Sequence, residues 1–154
     1  MVISFIGHSS FPSCEDIKQL VKAELTKLLK SGESITCYLG GYGDFDMICA
    51  TACKELRSQF ENIESVYITP YPEIPRDKIS NLYDASIYPP LENTPKRYAI
   101  VERNRWMMKE ADLVLAYVKS AFGGASKALE LATRLNKAIV NIYNLQQPTN
   151  ESFG

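Results

Sequence analysis

Short apolar runs alternate with amphipathic stretches of helical length along almost the whole chain, and this alternation restricts the fold more than any other feature. Val2 to Ile6, Ile35 to Leu39, Ser65 to Thr69, Leu113 to Val118 and Ala138 to Tyr143 read as buried strands. Between them, Ile17, Leu20, Val21, Leu25, Leu28 and Leu29 recur at helical spacing, bounded by Ser13 with Asp16 as a capping signal and by Ser31-Gly32 as a stop. Phe45, Ile48, Cys49, Ala52, Leu56 and Phe60 form a second helical stripe. Thr94-Pro95 opens a helix that runs to about Glu110, and Ser126 to Asn136 forms another.

Strands and helices in this alternation predict an α/β fold: one Rossmann-like, doubly wound parallel sheet of about five strands, order 3-2-1-4-5, with helices on both faces. The whole chain, residues 1–154, fits one domain of this kind, because a length of 154 and 45% hydrophobic residues suffice for a core without staples. Residues 70–95 interrupt the pattern. They hold six of the eight prolines together with Tyr71, Tyr83 and Tyr88 and read as a long ordered loop. The expectation is a lid over the carboxyl edge, with one or more of these tyrosines against a ligand or a partner subunit.

Two glycine-rich turns carry the chemistry. Gly40-Gly41-Tyr42-Gly43 and Gly123-Gly124 each lie between a strand and a helix, where glycine lets a ligand approach the backbone and the helix N-terminus presents unpaired N–H groups. Both suit an anionic, nucleotide-like ligand. In the expected strand order the turns after strands one, two and four open on the same edge, so Gly7, His8 and Ser9 are expected to join Gly40, Gly41, Tyr42, Gly43, Asp44, Gly123, Gly124 and Ser126 around one ligand. His8 is the only imidazole in the chain. Asp44 and Asp46 read first as residues that start a helix, and either can accept a ribose hydroxyl. On the helix from Pro95, Arg103 shares a face with Ile100 and Met107, whereas Arg105 and Lys109 point the other way, so Arg103 is the candidate anion ligand.

The stretch from Glu102 to Glu130 also carries a resemblance. Arg103 four residues before Met107, the strand start at Ala111-Asp112, and Gly123-Gly124-Ala125-Ser126-Lys127-Ala128-Leu129-Glu130 resemble the Lonely Guy phosphoribohydrolases of the SLOG superfamily. Phe5-Ile6-Gly7-His8 and Gly40-Gly41-Tyr42-Gly43-Asp44-Phe45-Asp46 look like a smaller bacterial and phage-associated branch of that superfamily. The resemblance implies binding of a nucleotide or nucleotide-derived ligand: a nucleoside monophosphate, an ADP-ribose-like molecule or a signalling nucleotide. It also implies two alternatives, an N-glycosidase that releases base and ribose 5-phosphate with Arg103 and Glu130 as catalytic residues, or a phage-type sponge that sequesters a signalling nucleotide. Ser126-Lys127 stands where the hydrolases have Gly-Thr, which favours binding over catalysis. A homodimer or higher homo-oligomer is a further implication. Periodicity alone places Glu130 opposite the apolar stripe of its helix.

Other classes are disfavoured. Seventeen basic against eighteen acidic residues leave no broad basic footprint for long nucleic acid. No apolar run approaches a membrane span and Met1-Val2-Ile3-Ser4 is no basic leader, so a cytoplasmic location is expected. Cys14, Cys37, Cys49 and Cys53 form no Cys-x-x-Cys pair, so neither a metal nor another cofactor is expected, and Cys49 and Cys53 read as buried thiols.

Overall fold

Every strand of the sheet runs in the same direction, so the turns that follow the strands all emerge at one edge. The computed structural model of the chain describes residues 1–8, 15–73, 81–119 and 121–146. Its elements are β1 (Val2–Gly7), α1 (Glu15–Lys30), β2 (Ile35–Leu39), α2 (Asp44–Arg57), β3 (Ile63–Ile68) and β4 (Ala85–Ile87). A 3₁₀ turn (Lys96–Tyr98) then leads into α3 (Ala99–Glu110), β5 (Leu113–Tyr117), α4 (Gly124–Arg134), β6 (Ala138–Asn141) and α5 (Ile142–Gln146). The strand order is β4-β3-β2-β1-β5-β6, with parallel pairing throughout.

The alternation of side chains along each strand explains why both faces are covered. Ile3 and Phe5 of β1 and Leu115 and Tyr117 of β5 join Ile17, Val21 and Leu25 of α1 and Phe45 and Cys49 of α2 in one core layer. Ile6 of β1 and Val114 and Ala116 of β5 face the other way, onto Met107 and Met108 of α3 and Ala128, Leu131 and Ala132 of α4. Ser4 also faces that second layer, and its buried hydroxyl donates to the Met107 carbonyl at 2.7 Å. Cys37, Cys49 and Cys53 are buried free thiols in the first layer.

Two expectations require correction. The sheet has six strands among the described residues, because β4 forms inside the stretch expected to be a loop and pairs with β3. Three residues are too few to show a period, and their register is set from outside: the Asp84 carboxylate accepts from the Ser65 N–H at 2.8 Å and from Arg57 Nη1 at 3.0 Å. The other five strands keep the order expected for them. The last strand ends at Asn141 rather than Tyr143 because the Asn141 side-chain oxygen accepts from the Val118 and Tyr143 N–H groups, which turns the chain into α5. Ser13 and Cys14 lie outside the described residues, as does part of the 70–95 stretch.

Gly41 joins sheet and site. Its φ is +69°, and a β-carbon there would collide with the Tyr67 ring, whereas Gly32, at φ +95°, has open space around it. Replacing each by alanine separates the two penalties: both variants bear the positive-φ cost, and Gly41→Ala is expected to lose about 1–3 kcal/mol more than Gly32→Ala through overpacking. Urea unfolding of the two variants checks this, and equal losses would show that Tyr67 moves aside freely.

Candidate functional site

The site is built around a buried arginine. Arg103 lies on the second turn of α3, only 3% exposed, and the sheet edge beneath it offers carbonyls that the strand ladder leaves unmet. Its Nη1 donates to the Gly40 carbonyl at 2.7 Å and the Ile68 carbonyl at 3.0 Å, while Nε donates to Asn104 Oδ1 at 3.0 Å. The guanidinium lies against Gly40, where an added β-carbon would sit 3.0 Å from Cζ. Its Nη2 has no hydrogen-bond partner among the described residues. Burial lowers the arginine pKa, and the nearby Asp46 carboxylate opposes that shift.

Arg103 lines a cavity of about 270 Å³ at the carboxyl edge, together with Gly7, His8, Tyr42, Asp46, Asn104 and Gly123-Gly124. Three strand-to-helix turns meet here, as parallel topology requires. Gly123, at φ +99°, caps α4, and neither it nor Gly124 has any atom within 4 Å of an added β-carbon, so the helix N-terminus opens onto the cavity. The Gly123 carbonyl accepts from the Lys127 N–H, the first bond of the helix. The N–H groups ahead of it are the ones a helix leaves free for an anion.

His8 extends β1 by one residue, donating its backbone N–H to the Tyr117 carbonyl at 3.1 Å. Its Nε2 accepts the Lys119 N–H at 2.9 Å, which assigns the ring proton to Nδ1. Burial and then the Lys119 charge lower its pKa, so the ring is a neutral donor at pH 7. Asp46 stands three residues inside α2 and accepts the Tyr42 N–H through Oδ2 at 3.1 Å. Desolvation raises its pKa to about 6, against the lowering effects of that N–H and of Arg103. The cavity thus offers a cationic fork, a neutral imidazole donor and backbone N–H groups, with one carboxylate as acceptor. That set suits an anionic group joined to a hydroxyl-bearing one.

Of the residues expected at the site, Gly7, His8, Tyr42, Arg103, Gly123 and Gly124 line this cavity. Gly40 and Gly41 do not line it: Gly40 packs against the Arg103 guanidinium and Gly41 against the Tyr67 ring, and Gly43 caps α2 at φ +90°. Asp44 is exposed and does not line it, and Ser126 is buried under the first turn of α4. Ser9 lies outside the described residues. Glu130 is exposed and lines a neighbouring groove of about 310 Å³ between α3 and α4, with Arg105 and Arg134. Tyr83 is buried against Tyr67, with ring centres 5.2 Å apart, so it belongs to the core and not to a ligand. Asp46, read from the sequence as a helix-start residue able to accept a ribose hydroxyl, also lines the cavity, and Asn104 is the addition. Asn104 gave no signal beyond its place next to Arg103.

No protein-family model matches the chain, and no curated protein matches it significantly. Solved structures do. DNA processing protein A from Helicobacter pylori, described for its single-stranded DNA binding mode, superposes with a TM-score of 0.61 at 18% identity, over 90% of this chain and 63% of that one. The structural-genomics protein TM1055 gives 0.59 at 15% identity, over 90% and 71%. The molybdenum cofactor carrier protein of Chlamydomonas reinhardtii gives 0.59 at 13%, over 91% and 74%. The chain therefore spans just under two thirds of the Helicobacter protein. The likeness establishes a shared Rossmann-like fold. No described helix is long and apolar enough to cross a membrane.

Asp46 supplies a test of the electrostatics. A carboxyl whose folded pKa is about 6, against 3.8 when unperturbed, binds its proton more tightly in the folded state. Stability then falls as pH rises through that interval, and the cost is complete above pH 6. Asp46→Asn, which keeps an acceptor for Tyr42, is expected to unfold at higher urea than wild type at pH 7.5. That advantage is expected to shrink toward pH 4, and a difference independent of pH would contradict the assignment.

Proposed function

We propose that the chain is a SLOG-type module that binds a nucleotide or nucleotide-derived ligand at the carboxyl edge, with the phosphate between Arg103 and the N-terminus of α4. The observation that carries this reading is the Arg103 guanidinium: buried, held by three hydrogen bonds, and, among the described residues, with Nη2 left over at a cavity lined by no other cation. A buried charge is costly unless its donors are used, so a leftover donor beside an open helix N-terminus calls for an anion. His8 Nδ1 adds a neutral donor and Asp46 an acceptor for a ribose hydroxyl. Fold neighbours described for single-stranded DNA binding and molybdenum cofactor carriage support a nucleotide-related binding fold.

The hydrolase reading requires Arg103 and Glu130 to act on one substrate. Glu130 lines the neighbouring groove, which meets the Arg103 cavity only at Asn104 and Gly124, so the geometry favours binding without turnover. Chromatography of long incubations with nucleoside monophosphates is expected to recover intact nucleotide; base release that Glu130→Gln abolishes would reinstate the enzyme.

Calorimetry against nucleoside monophosphates, ADP-ribose, its cyclic forms and cyclic oligonucleotides tests the binding reading. At least one of them is expected to bind at micromolar concentration, and failure of all of them at high micromolar concentration would end the proposal. Arg103→Lys keeps the charge and loses the fork. It is expected to weaken binding by about ten- to a hundredfold, the equivalent of charge-assisted hydrogen bonds worth roughly 1.5–3 kcal/mol.

A further inference from the structure

A second cavity, of about 550 Å³, opens where β3 and β4 end, lined by Tyr71, Tyr88, Leu91, Lys96 and Ala99 among others. Its position relative to the first cavity is set by α3. Ala99 lines the second cavity and Arg103 the first, and residues four apart on a helix share a face with about 5–6 Å between β-carbons. Arg103 also reaches toward this side, since Nη1 bonds the Ile68 carbonyl and its charge interacts with Tyr71, three residues further on. The two cavities therefore border consecutive turns on one face of α3.

The second cavity has its own chemistry. Tyr71 is fixed by its backbone: its carbonyl accepts from the Thr69 hydroxyl at 2.7 Å, and its N–H donates back to that oxygen at 3.2 Å. Lys96 Nζ lies 5.6 Å from the Tyr71 ring centre. The phenol groups of Tyr71 and Tyr88 and the Lys96 ammonium have no hydrogen bond or ion pair among the described residues. Among the described residues, Glu73 and Glu92 also line the cavity and outnumber the single cation, Lys96, which disfavours a second phosphate there. Two tyrosine rings, aliphatic walls and unused donors and acceptors suit a flat, uncharged heterocycle instead.

We propose that this cavity is the base subsite, in which Tyr71 and Tyr88 receive the nucleobase of a nucleotide whose phosphate is held at Arg103. The inference rests on the nucleotide-binding reading and extends it. Tyr83, the third tyrosine of the segment, takes no part.

The test compares AMP, GMP, CMP and UMP with ribose 5-phosphate, which carries the phosphate and sugar alone. At least one nucleotide is expected to bind about tenfold more tightly than ribose 5-phosphate, the order that one aromatic–base stack contributes. Tyr71→Ala and Tyr88→Ala are expected to bring that nucleotide down to the affinity of ribose 5-phosphate. The affinity of ribose 5-phosphate itself stays unchanged in both variants, which shows that they fold. Tyr88→Phe is expected to keep the preference. If all four nucleotides bind no better than ribose 5-phosphate, or if the tyrosine variants weaken both kinds of ligand alike, the base subsite is overturned and the phosphate site stands. If neither ribose 5-phosphate nor any nucleotide binds, both proposals fall.

Discussion

The Arg103 guanidinium holds the carboxyl edge together. Nη1 ties the ends of two neighbouring strands, through the carbonyls of Gly40, just past β2, and of Ile68, the last residue of β3, to a helix on one face of the sheet. Those carbonyls lie where the ladder runs out, so each would otherwise need water or a cap. The same contact brings a positive charge into an interior that admits one only when its donors are satisfied. Gly40 makes the arrangement possible by leaving room for the flat guanidinium, and Asn104 fixes the plane of the fork through Nε. A lysine could carry the charge but has a single nitrogen, whereas the guanidinium uses Nη1 for the two carbonyls and Nε for Asn104 and keeps Nη2 apart from both.

Around this centre the electrostatics oppose one another. The His8 pKa is lowered by burial and by the Lys119 charge, while desolvation raises that of Asp46 against the pull of the Tyr42 N–H and Arg103. A carboxyl with a pKa near 6 detracts from stability at neutral pH, and carboxyls of this kind gather where a ligand is recognised. The helix N-terminus at Gly123-Gly124 adds partial positive charge without any side chain. The cavity is therefore poised for anions by groups that differ in origin: a side-chain cation, a tautomer and a helix dipole.

Much of this was legible in the sequence, for physical reasons. Strands buried on both faces appear as continuous apolar runs, and the helices between them carry a clear 3.6-residue stripe, so β1, β2, β3 and β5 and the helices packed on them could be read directly. Topology then followed from chirality and short connections, and with it the meeting of Gly7, His8, Tyr42 and Gly123. What could not be read depended on contacts distant in sequence. β4 owes its register to Asp84 bonding across to Ser65 and Arg57, and β6 stops where Asn141 bonds back to Val118. Glu130 was drawn toward Arg103 by the family pattern, whereas its helical phase turns it away from the apolar stripe of α4, and the structure has it exposed in the neighbouring groove. Asp46 could be read both as a helix-start residue and as a hydroxyl acceptor, since a carboxylate has two oxygens and a cap uses one.

Ser4 gives the sheet a pin. Its hydroxyl is the polar group that β1 turns toward α3, and it grips the Met107 carbonyl one helical turn beyond Arg103. Apolar packing alone lets a helix slide along a sheet at little cost, because one methyl contact substitutes for another. A buried hydroxyl bonded to one carbonyl permits no such substitution, since any slip leaves both groups dry and unmatched. The guanidinium is thus anchored by its own bonds and, through the helix that carries it, by Ser4 of β1, so the position of the proposed anion site is set in the middle of the sheet as much as at its edge.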